Sequence, residues 1–411
     1  MTVHNGMSKN EKSTFSSNSG SMFHIFLETK LIEMIKHIQK NENLKDEGDV
    51  IAHLIQDYGK KNITQLDQFE KNISQSTSHE RKYPSSTVTV CTSEFDGNIQ
   101  FQKLEKILAS IKSENLIKKL PQHEIYGLSG AAMIHRFHTK ILPVKFSLMC
   151  LSKMIVETDN PWISLTELKT YTLNSAKFFI KKFNSSPSRN KFKVNIGFPR
   201  QEVKEYKDYV HSYLSYERSS KRFTEQFVGR KLQKHEGIQV GGALFEMGLI
   251  EAKTLTYEEE KARGLSNTGS RKIYVTLGKN GKEFVSYKND LIDFIYNSKE
   301  SEPDSIFSQQ EREFYFKKIL SEYKFEKDFV GHLMRHKQIE HTRDIRMWFE
   351  EKFLEFCNSE FPDVKVPLNE NNVRMYSNTI MNRLIEFDVF TKDRESKSGP
   401  YTRMENVANL R

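Results

Sequence analysis

The chain has 411 residues, which is too long for one ordinary hydrophobic core, so we expect two to four domains. Its 63 Lys and Arg against 54 Asp and Glu give a formal net charge of +9, which favours an acidic partner such as nucleic acid. Three scattered cysteines, Cys91, Cys150 and Cys357, exclude a disulfide framework and a zinc knuckle. No stretch has the roughly 18 apolar residues of a membrane span, and the start of the chain lacks the apolar centre of a signal peptide.

Shifts in composition divide the chain into segments. A polar start, an ordered stretch from Met22, a Ser/Thr/Lys-rich stretch and an acidic, turn-rich stretch near residue 300 mark the boundaries. We predict a disordered tail at 1–21, a small module at 22–62, a linker at 63–100, a helical region at 101–297, a second linker at 298–306 and a last domain at 307–411. No repeat of fixed period occurs.

The small module has the pattern of one strand followed by two helices. Apolar side chains at Phe23, Ile25 and Leu27 alternate with their neighbours, and helical spacing follows from Thr29 and again from Val50. Such a short unit cannot bury its apolar face alone, so we expect a homodimer formed through the strand.

This module resembles the ribbon-helix-helix family of DNA-binding dimers, whose paired strands read base edges in the major groove. The resemblance places Met22, His24 and Phe26 outward, and His24 is the polar residue among them. At the start of the second helix, where the family holds a phosphate, this chain has the acidic residues 46–49. The module therefore either reads DNA or serves only for dimerisation.

The region 101–297 combines helical segments with two strands. Helical periodicity runs through Phe101 to Leu116, residues 144–157 have the pattern of a buried helix, and residues 162–183 predict a short strand with one or two helices. A further helix is expected to end at Gly248, before one strand and then a second strand at 271–277. The cationic stretch Lys279 to Lys282 follows as a predicted turn.

This region resembles a winged helix with a long insertion at about 184–223. The resemblance implies that Arg271, Lys272, Lys279 and Lys282 belong to a basic wing that contacts DNA. The insertion mixes many Lys and Arg with Tyr and Phe. That mixture suits a surface that follows phosphates, and it suits equally a solvated helix with ordinary core aromatics.

The last domain begins with Ser308 and Glu311 in the spacing of a capping box. An amphipathic helix is predicted at 343–361, another at Asn371 to Glu386, a sharp turn at 387–390 and a hairpin at 392–402. This arrangement resembles a second winged helix. Its recognition helix buries Val373, Tyr376, Ile380, Leu384 and Ile385, and it points outward the residues Asn372, Arg374, Ser377, Asn378, Asn382 and Arg383. Such side chains pair with base edges, and Lys392, Arg394 and Lys397 would contact phosphates from the wing.

Catalytic and metal-binding patterns are weak. His332 and Arg335 have the spacing of tyrosine recombinases, with Trp348 and Tyr376 following, but the upstream arginine box and fold of that family are not matched. The pairs His332/His336 and His135/His138 have helical or turn spacing without a matching carboxylate, so helix-surface histidines are favoured over metal ligands. No phosphate-binding glycine loop occurs. We expect no enzyme, cofactor or metal.

The sequence therefore predicts a mainly α fold with small β wings: a ribbon-helix-helix-like module followed by two winged-helix-like domains. The favoured function is sequence-specific binding of double-stranded DNA by a transcriptional regulator, in the cytoplasm on the nucleoid and without a small-molecule substrate. Two alternatives remain open. Tandem winged helices also resemble the replication initiators of plasmids and other mobile elements, and winged helices can act as protein-interaction adaptors.

Overall fold

A computed structural model describes residues 14–16, 22–24, 95–111, 116–117, 132–192, 194, 197–200, 209–234, 237–255, 272–297, 300–363, 369–392 and 400–405. The chain forms two compact units, Met1–Ser85 and Ser86–Arg411. The boundary lies inside the segment predicted as a linker at 63–100. The described helices and small sheets agree with a mainly α fold. In the described part of the chain, no helix combines the length and apolar character needed to cross a membrane.

The first unit is described only as a two-stranded antiparallel ribbon. Strand β1 (Thr14–Ser16) pairs with β2 (Met22–His24), and Phe15 lies opposite Phe23. Strand β2 starts where the sequence predicts one, whereas β1 lies within the predicted tail. The helices predicted between 29 and 62 lie outside the described residues.

The second unit is described below in two parts, which we call the proximal half (residues 95–297) and the distal half (residues 300–405). The helices of the proximal half are α1 (Phe101–Ala109), α2 (Leu142–Thr158), α3 (Leu165–Asn184), α4 (Tyr209–Arg222) with a π-helical continuation (Phe223–Val228), α5 (Ala243–Glu246), α6 (Lys279–Ser286) and α7 (Asp290–Tyr296). Its strands are β3 (Ile163–Ser164), β4 (Arg230–Lys234), β5 (Gly237–Gly241), β6 (Ile250–Thr254) and β7 (Ile273–Leu277).

Helix α2 is the centre of the proximal half. Nearly every side chain from Leu142 to Val156 is buried, as its all-round apolar sequence predicts. Pro143 stands in the first turn, where its missing N–H costs no hydrogen bond. The hydroxyls of Ser147 and Ser152 donate to carbonyls four residues earlier, so they need no partner from outside the helix.

A small three-stranded sheet lies beside α2 and α3, with the strand order β3–β7–β6. Both pairings are antiparallel, with Ile163 opposite Val275 and Ala252 opposite Val275. All five residues of β7 are buried, because it is the central strand of the sheet. Helix α1 is shorter than predicted: it ends at Ala109, and Leu116 instead forms a β-bridge with Lys253.

The distal half repeats the order of helix, short strand, helices and two final strands, without counterparts of β4, β5, α6 and α7. It comprises α8 (Gln309–Phe314), a π-helical turn (Tyr315–Ile319), a 3-10 turn (Leu320–Glu322), α9 (Lys324–Leu333), β8 (Gln338–Ile339), α10 (Thr342–Glu360), α11 (Glu370–Glu386), β9 (Phe390–Lys392) and β10 (Tyr401–Arg403). Its strands are ordered β8–β10–β9, so the last strand again lies in the middle. The predicted capping box of Ser308 and Glu311 and the helices predicted near 343–361 and 371–386 are confirmed.

The turn that leads into the hairpin has one geometry in both halves. Gly248 and Asp388 each adopt a left-handed backbone conformation, with φ of 65° and 54°. The following amide donates to a carbonyl five residues earlier in each case, Leu249 to Leu244 and Val389 to Leu384. This is the Schellman termination of a helix, and it sends the chain sharply into a strand, as the sequence predicts for both positions.

The two halves differ in what precedes this turn. In the distal half it ends the seventeen-residue helix α11, whereas α5 in the proximal half has only four residues. An antiparallel hairpin, β4 and β5, separates α5 from the longer helix formed by α4 and its π-helical continuation. The sequence did not predict this hairpin. Gly242 closes its base, where a Cβ would lie 2.7 Å from the Cα of Gly229.

The predicted wing turn at Lys279–Lys282 is wrong. These residues form the first turn of α6, at the end of β7 that is remote from the loop joining β6 and β7. Gly281 packs against the backbone of Leu249, the residue directly before β6. A Cβ added at Gly281 would lie 1.9 Å from the carbonyl oxygen of Leu249. The glycine is thus required for close packing of a helix, and it does not mark a hairpin turn.

The two halves share one hydrophobic core. Beside it lies a fully buried ion pair, in which Lys145 of α2 contacts Glu311 of α8 at 3.1 Å. Lys145 also donates to the carbonyls of Phe284 and Tyr287, and Asn289 donates to Glu311. Burial lowers the pKa of Lys145 and raises that of Glu311, while each group opposes the shift of the other. The predicted linker at 298–306 therefore does not separate two cores.

We expect Gly281→Ala to lower the free energy of unfolding by about 1–3 kcal/mol or more, because the methyl group collides with backbone atoms that cannot rotate away. The matched control is Gly331→Ala in α9, where a Cβ meets no atom within 4 Å. That change should raise stability by roughly 0.5–1 kcal/mol through helix propensity. Urea unfolding followed by circular dichroism measures both; equal effects would contradict the packing seen at Gly281.

Asp388 should make stability depend on pH. Burial raises its pKa to about 6, and the opposing effect of Arg312, 3.7 Å away, is weaker. An unfolded aspartate has a pKa near 3.9. Because the pKa in the folded protein is higher, protonation of Asp388 stabilises the fold fully below about pH 4, and this stabilisation is lost as the pH rises through 6. We expect Asp388→Asn, which tolerates the left-handed conformation, to raise stability above pH 6 by on the order of 1–2 kcal/mol after allowance for screening.

The quantity to measure is the difference between wild type and variant in unfolding free energy from pH 4 to pH 7. It should grow with pH and level off above 6. A difference that stays constant over this interval would show that Asp388 does not titrate there. Asp388→Ala removes the same charge but adds strain at a positive φ, and so should be less stable than Asp388→Asn.

Candidate nucleic-acid interface

Helix α11 presents one narrow polar strip to solvent. The exposed or half-buried side chains at helical spacing are Asn371, Arg374, Met375, Asn378 and Asn382. Asn369 caps the helix by accepting from the amide of Asn371 at 2.8 Å. The opposite face packs Val373, Tyr376, Ile380 and Leu384 into the core, as predicted. Glu370, the first residue of α11, is also exposed and lies one turn before Arg374, so the strip begins next to one carboxylate.

Three of the six residues predicted to point outward lie on this strip: Arg374, Asn378 and Asn382. Arg374 donates to the side-chain oxygen of Asn371 at 3.0 Å and keeps its other donors. The side-chain amides of Asn378 and Asn382 make no hydrogen bond to any described residue. Their donors and acceptors are therefore available to a ligand.

The prediction that Ser377 and Arg383 point outward is wrong. Both side chains are 1% exposed. Helical spacing predicts one buried face, but α11 is covered on a second side by residues 132–142, which precede α2. Ser377 is satisfied locally by the carbonyl of Arg374, at 3.3 Å.

Arg383 joins three parts of the second unit. Its guanidinium forms an ion pair with Glu326 of α9 and donates to the carbonyl of His138 at 2.7 Å. The second oxygen of Glu326 accepts from the amide of Ile134 at 2.9 Å. The pKa of Arg383 is lowered by burial, but the charge of Glu326 and its neighbours outweighs that effect and raises it overall. The arginine is therefore a structural cation.

A second buried contact joins the segment that contains His138 to α5 and Tyr323. His138 lies 2.6 Å from Glu246 of α5, whose backbone carbonyl accepts from the hydroxyl of Tyr323 at 2.8 Å. The other carboxylate oxygen of Glu246 accepts from the amide of Gly242 at 3.2 Å. The prediction of a helix-surface histidine is therefore wrong for His138, which is 2% exposed, lies outside any helix and hydrogen-bonds within the core.

The last predicted strip residue, Asn372, lies at the edge of the helix. It accepts a hydrogen bond from the guanidinium of Arg136, which comes from the proximal half. No local sequence pattern predicts this contact, because Arg136 lies far from α11 in the chain.

The predicted wing residues are described only in part. Lys272 is exposed immediately before β7, and Lys392, in β9, has its ammonium 5.5 Å from the ring centroid of Tyr401. Arg271, Arg394 and Lys397 lie outside the described residues, as does the side chain of His24. Lys279 and Lys282 are exposed, but on α6 and away from either hairpin loop.

The proximal half has a basic surface that the predicted site did not include. The π-helical continuation of α4 packs against α2 and α3, and the described face of α4 exposes Arg218, Lys221 and Arg222. Arg200 donates to Ser215 on the adjoining edge, at 2.5 Å. No carboxylate among the described residues pairs with Arg218, Lys221 or Arg222. The Lys/Arg-rich insertion in the sequence was the available signal.

His332 of α9 and His336, which follows the end of that helix, both have an aromatic partner. The ring of His336 stacks on Trp348 with centroids 4.4 Å apart, and His332 meets the same indole edge-on at 5.5 Å. Burial lowers the pKa of His332, with a further contribution from His336. Among the described residues, no group of three or more His, Cys, Asp or Glu side chains is arranged to hold a metal ion.

Comparison with protein-family models, curated proteins and solved structures gave no match for this chain. The function therefore has to be argued from its own residues. Among the described surfaces, the strip of α11 and the basic face of α4 combine exposure with uncommitted polar or cationic groups.

We expect Arg383→Met to lower the free energy of unfolding by about 3–5 kcal/mol, because it leaves the carboxylate of Glu326 buried without its cation. The double variant Arg383→Met/Glu326→Met should recover most of this loss, since two buried charges are removed together. Denaturant unfolding of the wild type, both single variants and the double variant gives the coupling energy. Additive effects would contradict a direct ion pair.

Proposed function

We propose that the protein binds double-stranded DNA sequence-specifically through the exposed strip of α11, and that each half of the second unit is a winged helix. The repeated element order supports this fold. Each half has a helix, a short strand, further helices and a hairpin, with the last strand in the middle of the sheet. In that fold, the helix before the hairpin enters the major groove.

The observation that carries the proposal is the chemistry of the strip. Asn378 and Asn382 offer amide groups without internal partners, and Arg374 adds a guanidinium. Asparagine pairs bidentately with adenine and arginine with guanine, so these residue types suit base reading in the major groove. A merely solvated helix face would carry Glu and Lys pairs instead.

The rest of the interface would supply affinity independent of sequence. In the proximal half, α4 exposes the cationic side chains of Arg218, Lys221 and Arg222, whereas α11 in the distal half exposes amides. Cations of this kind neutralise phosphates. In a winged helix the segments between β6 and β7 and between β9 and β10 would be the wings, from which Arg271, Lys272, Lys392, Arg394 and Lys397 would contact the DNA backbone.

A homodimer formed through the first unit would present two copies of α11 to one duplex. Such an arrangement favours a two-fold symmetric site. A transcriptional regulator and a replication initiator both require this binding step. An initiator would also bind repeated sites and unwind the adjoining duplex, whereas a winged-helix adaptor for protein would lack salt-dependent affinity for DNA.

The test uses the full chain and has two stages. Fluorescence anisotropy on random duplex DNA across a salt titration should give steep salt dependence, because phosphate contacts release counterions. Selection from a randomised duplex library should then enrich one motif. Absence of binding at low salt would overturn the proposal.

We expect Asn378→Ala to weaken binding to the selected site by about 1–3 kcal/mol and to relax the preference at one base pair. The matched control is Asn358→Ala on α10, an exposed asparagine outside the strip. It should leave both affinity and motif unchanged. If Asn378→Ala kept the wild-type motif and affinity, α11 would not be the reading helix.

A further inference from the structure

Residues Ala132–Leu142, here called the flanking segment, lie along α11 for most of its length. Five hydrogen bonds join the segment, which leads into α2, to α11. The contacts are Arg136 to Asn372, Thr379 to the carbonyl of Arg136 (2.8 Å), Arg383 to the carbonyl of His138 (2.7 Å), Lys140 to the carbonyl of Asn382 (3.4 Å) and the amide of Ile141 to Glu386 (2.6 Å). The segment thus runs beside the exposed strip in the same direction as α11.

One side chain in these contacts, that of Glu386, is both buried and doubly hydrogen-bonded. Glu386 is buried and accepts from the amides of both Ile141 and Leu142, so it caps the start of α2. Burial raises the pKa of Glu386, opposed by the charge of Lys140. The position of the flanking segment relative to α11 is therefore set by buried, directional bonds.

The outer side of the flanking segment carries the half-buried Arg136, which contacts α11 at Asn372, and the exposed Phe137. Phe137 is 39% exposed, which is high for a large apolar side chain. Its ring lies 5.3 Å from the guanidinium carbon of Arg136 and 4.9 Å from the ring of His135. The aromatic ring supports the guanidinium and shields one of its faces from water.

The charge of Arg136 is not compensated by any described carboxylate. Its hydrogen-bond partner, Asn372, is neutral, and the planar guanidinium retains further donors for a second acceptor. A neutral anchor together with an aromatic support orients an arginine without cancelling its charge.

We propose that Arg136 binds a backbone phosphate at the edge of the major groove that α11 enters, so that the DNA surface of the distal half is completed by a residue from the proximal half. The inference rests on the proposed function. A helix in the major groove has a sugar-phosphate chain on each side, and a cation beside the helix meets that chain rather than the base edges. Arg136 therefore sets affinity and orientation, and the strip sets sequence preference.

The test measures binding of the full chain to its selected duplex and to a random duplex between low and moderate salt. Arg136→Gln should weaken both by roughly tenfold and reduce the slope of log affinity against log salt by about 1, with the selected motif unchanged. Arg136→Lys should restore the slope, because it restores the charge. Lys106→Gln on α1 removes one exposed charge elsewhere and should leave the slope unchanged.

Folding is checked by thermal unfolding of each variant. The bond from Thr379 goes to the backbone carbonyl of residue 136 and survives either substitution. An unchanged salt slope in Arg136→Gln would overturn the inference, as would a changed motif with an unchanged slope, which would indicate base reading. If the wild type binds and Asn378→Ala alters the motif, either of these outcomes refutes only the phosphate contact proposed for Arg136. If the wild type binds no duplex, the proposed function fails as well.

Discussion

The orientation of α11 in the second unit depends on the buried contacts of Arg383. This arginine lies on the helix whose outer strip is the candidate reading surface, yet its own side chain is buried against Glu326 and the carbonyl of His138. A buried guanidinium tolerates few arrangements, because each donor without an acceptor costs free energy in a medium of low dielectric constant. The ion pair thus fixes the rotation of α11 about its axis, and with it the side chains that form the strip. Its role is positional, since buried ion pairs contribute little net stability compared with apolar packing.

The same constraint explains why the two halves share one core. The segment before α2 supplies backbone carbonyls and amides that hydrogen-bond to Arg383, Glu326 and Glu386. Those backbone groups belong to the proximal half, so α11 cannot complete its hydrogen bonds within the distal half alone. The buried pair of Lys145 and Glu311 joins the halves at a second place. Two separate buried contacts make a rigid connection, and a rigid connection lowers the entropy lost when both halves engage one ligand.

Much of this architecture could be predicted from the sequence. Apolar periodicity located α2, α3, α10 and α11, and the capping box and the two helix-terminating turns followed from local signals that act within a few residues. The failures have a common cause. Periodicity assigns a helix one buried face, so Ser377 and Arg383 were expected in solvent although a distant segment covers them. Likewise, Gly281 in a cationic stretch resembles a turn, and only the proximity of Leu249 explains it as a packing requirement. Contacts between residues far apart in the chain decided each case.

The burial of α11 on two sides also bears on what the strip can do. A recognition helix with one buried face presents a wide arc, whereas α11 retains a narrow line of Asn371, Arg374, Asn378 and Asn382. A narrow line limits the number of base pairs that one helix can contact, so recognition must be supplemented from elsewhere. The flanking segment places Arg136 next to that line, and α4 exposes further cations in the proximal half. Phosphate contacts of this kind do not identify a sequence, but they orient the protein so that a few amides suffice to discriminate. Under the proposed function, the second buried face would narrow the reading surface and, through the same contacts, would place Arg136 where it compensates for the loss.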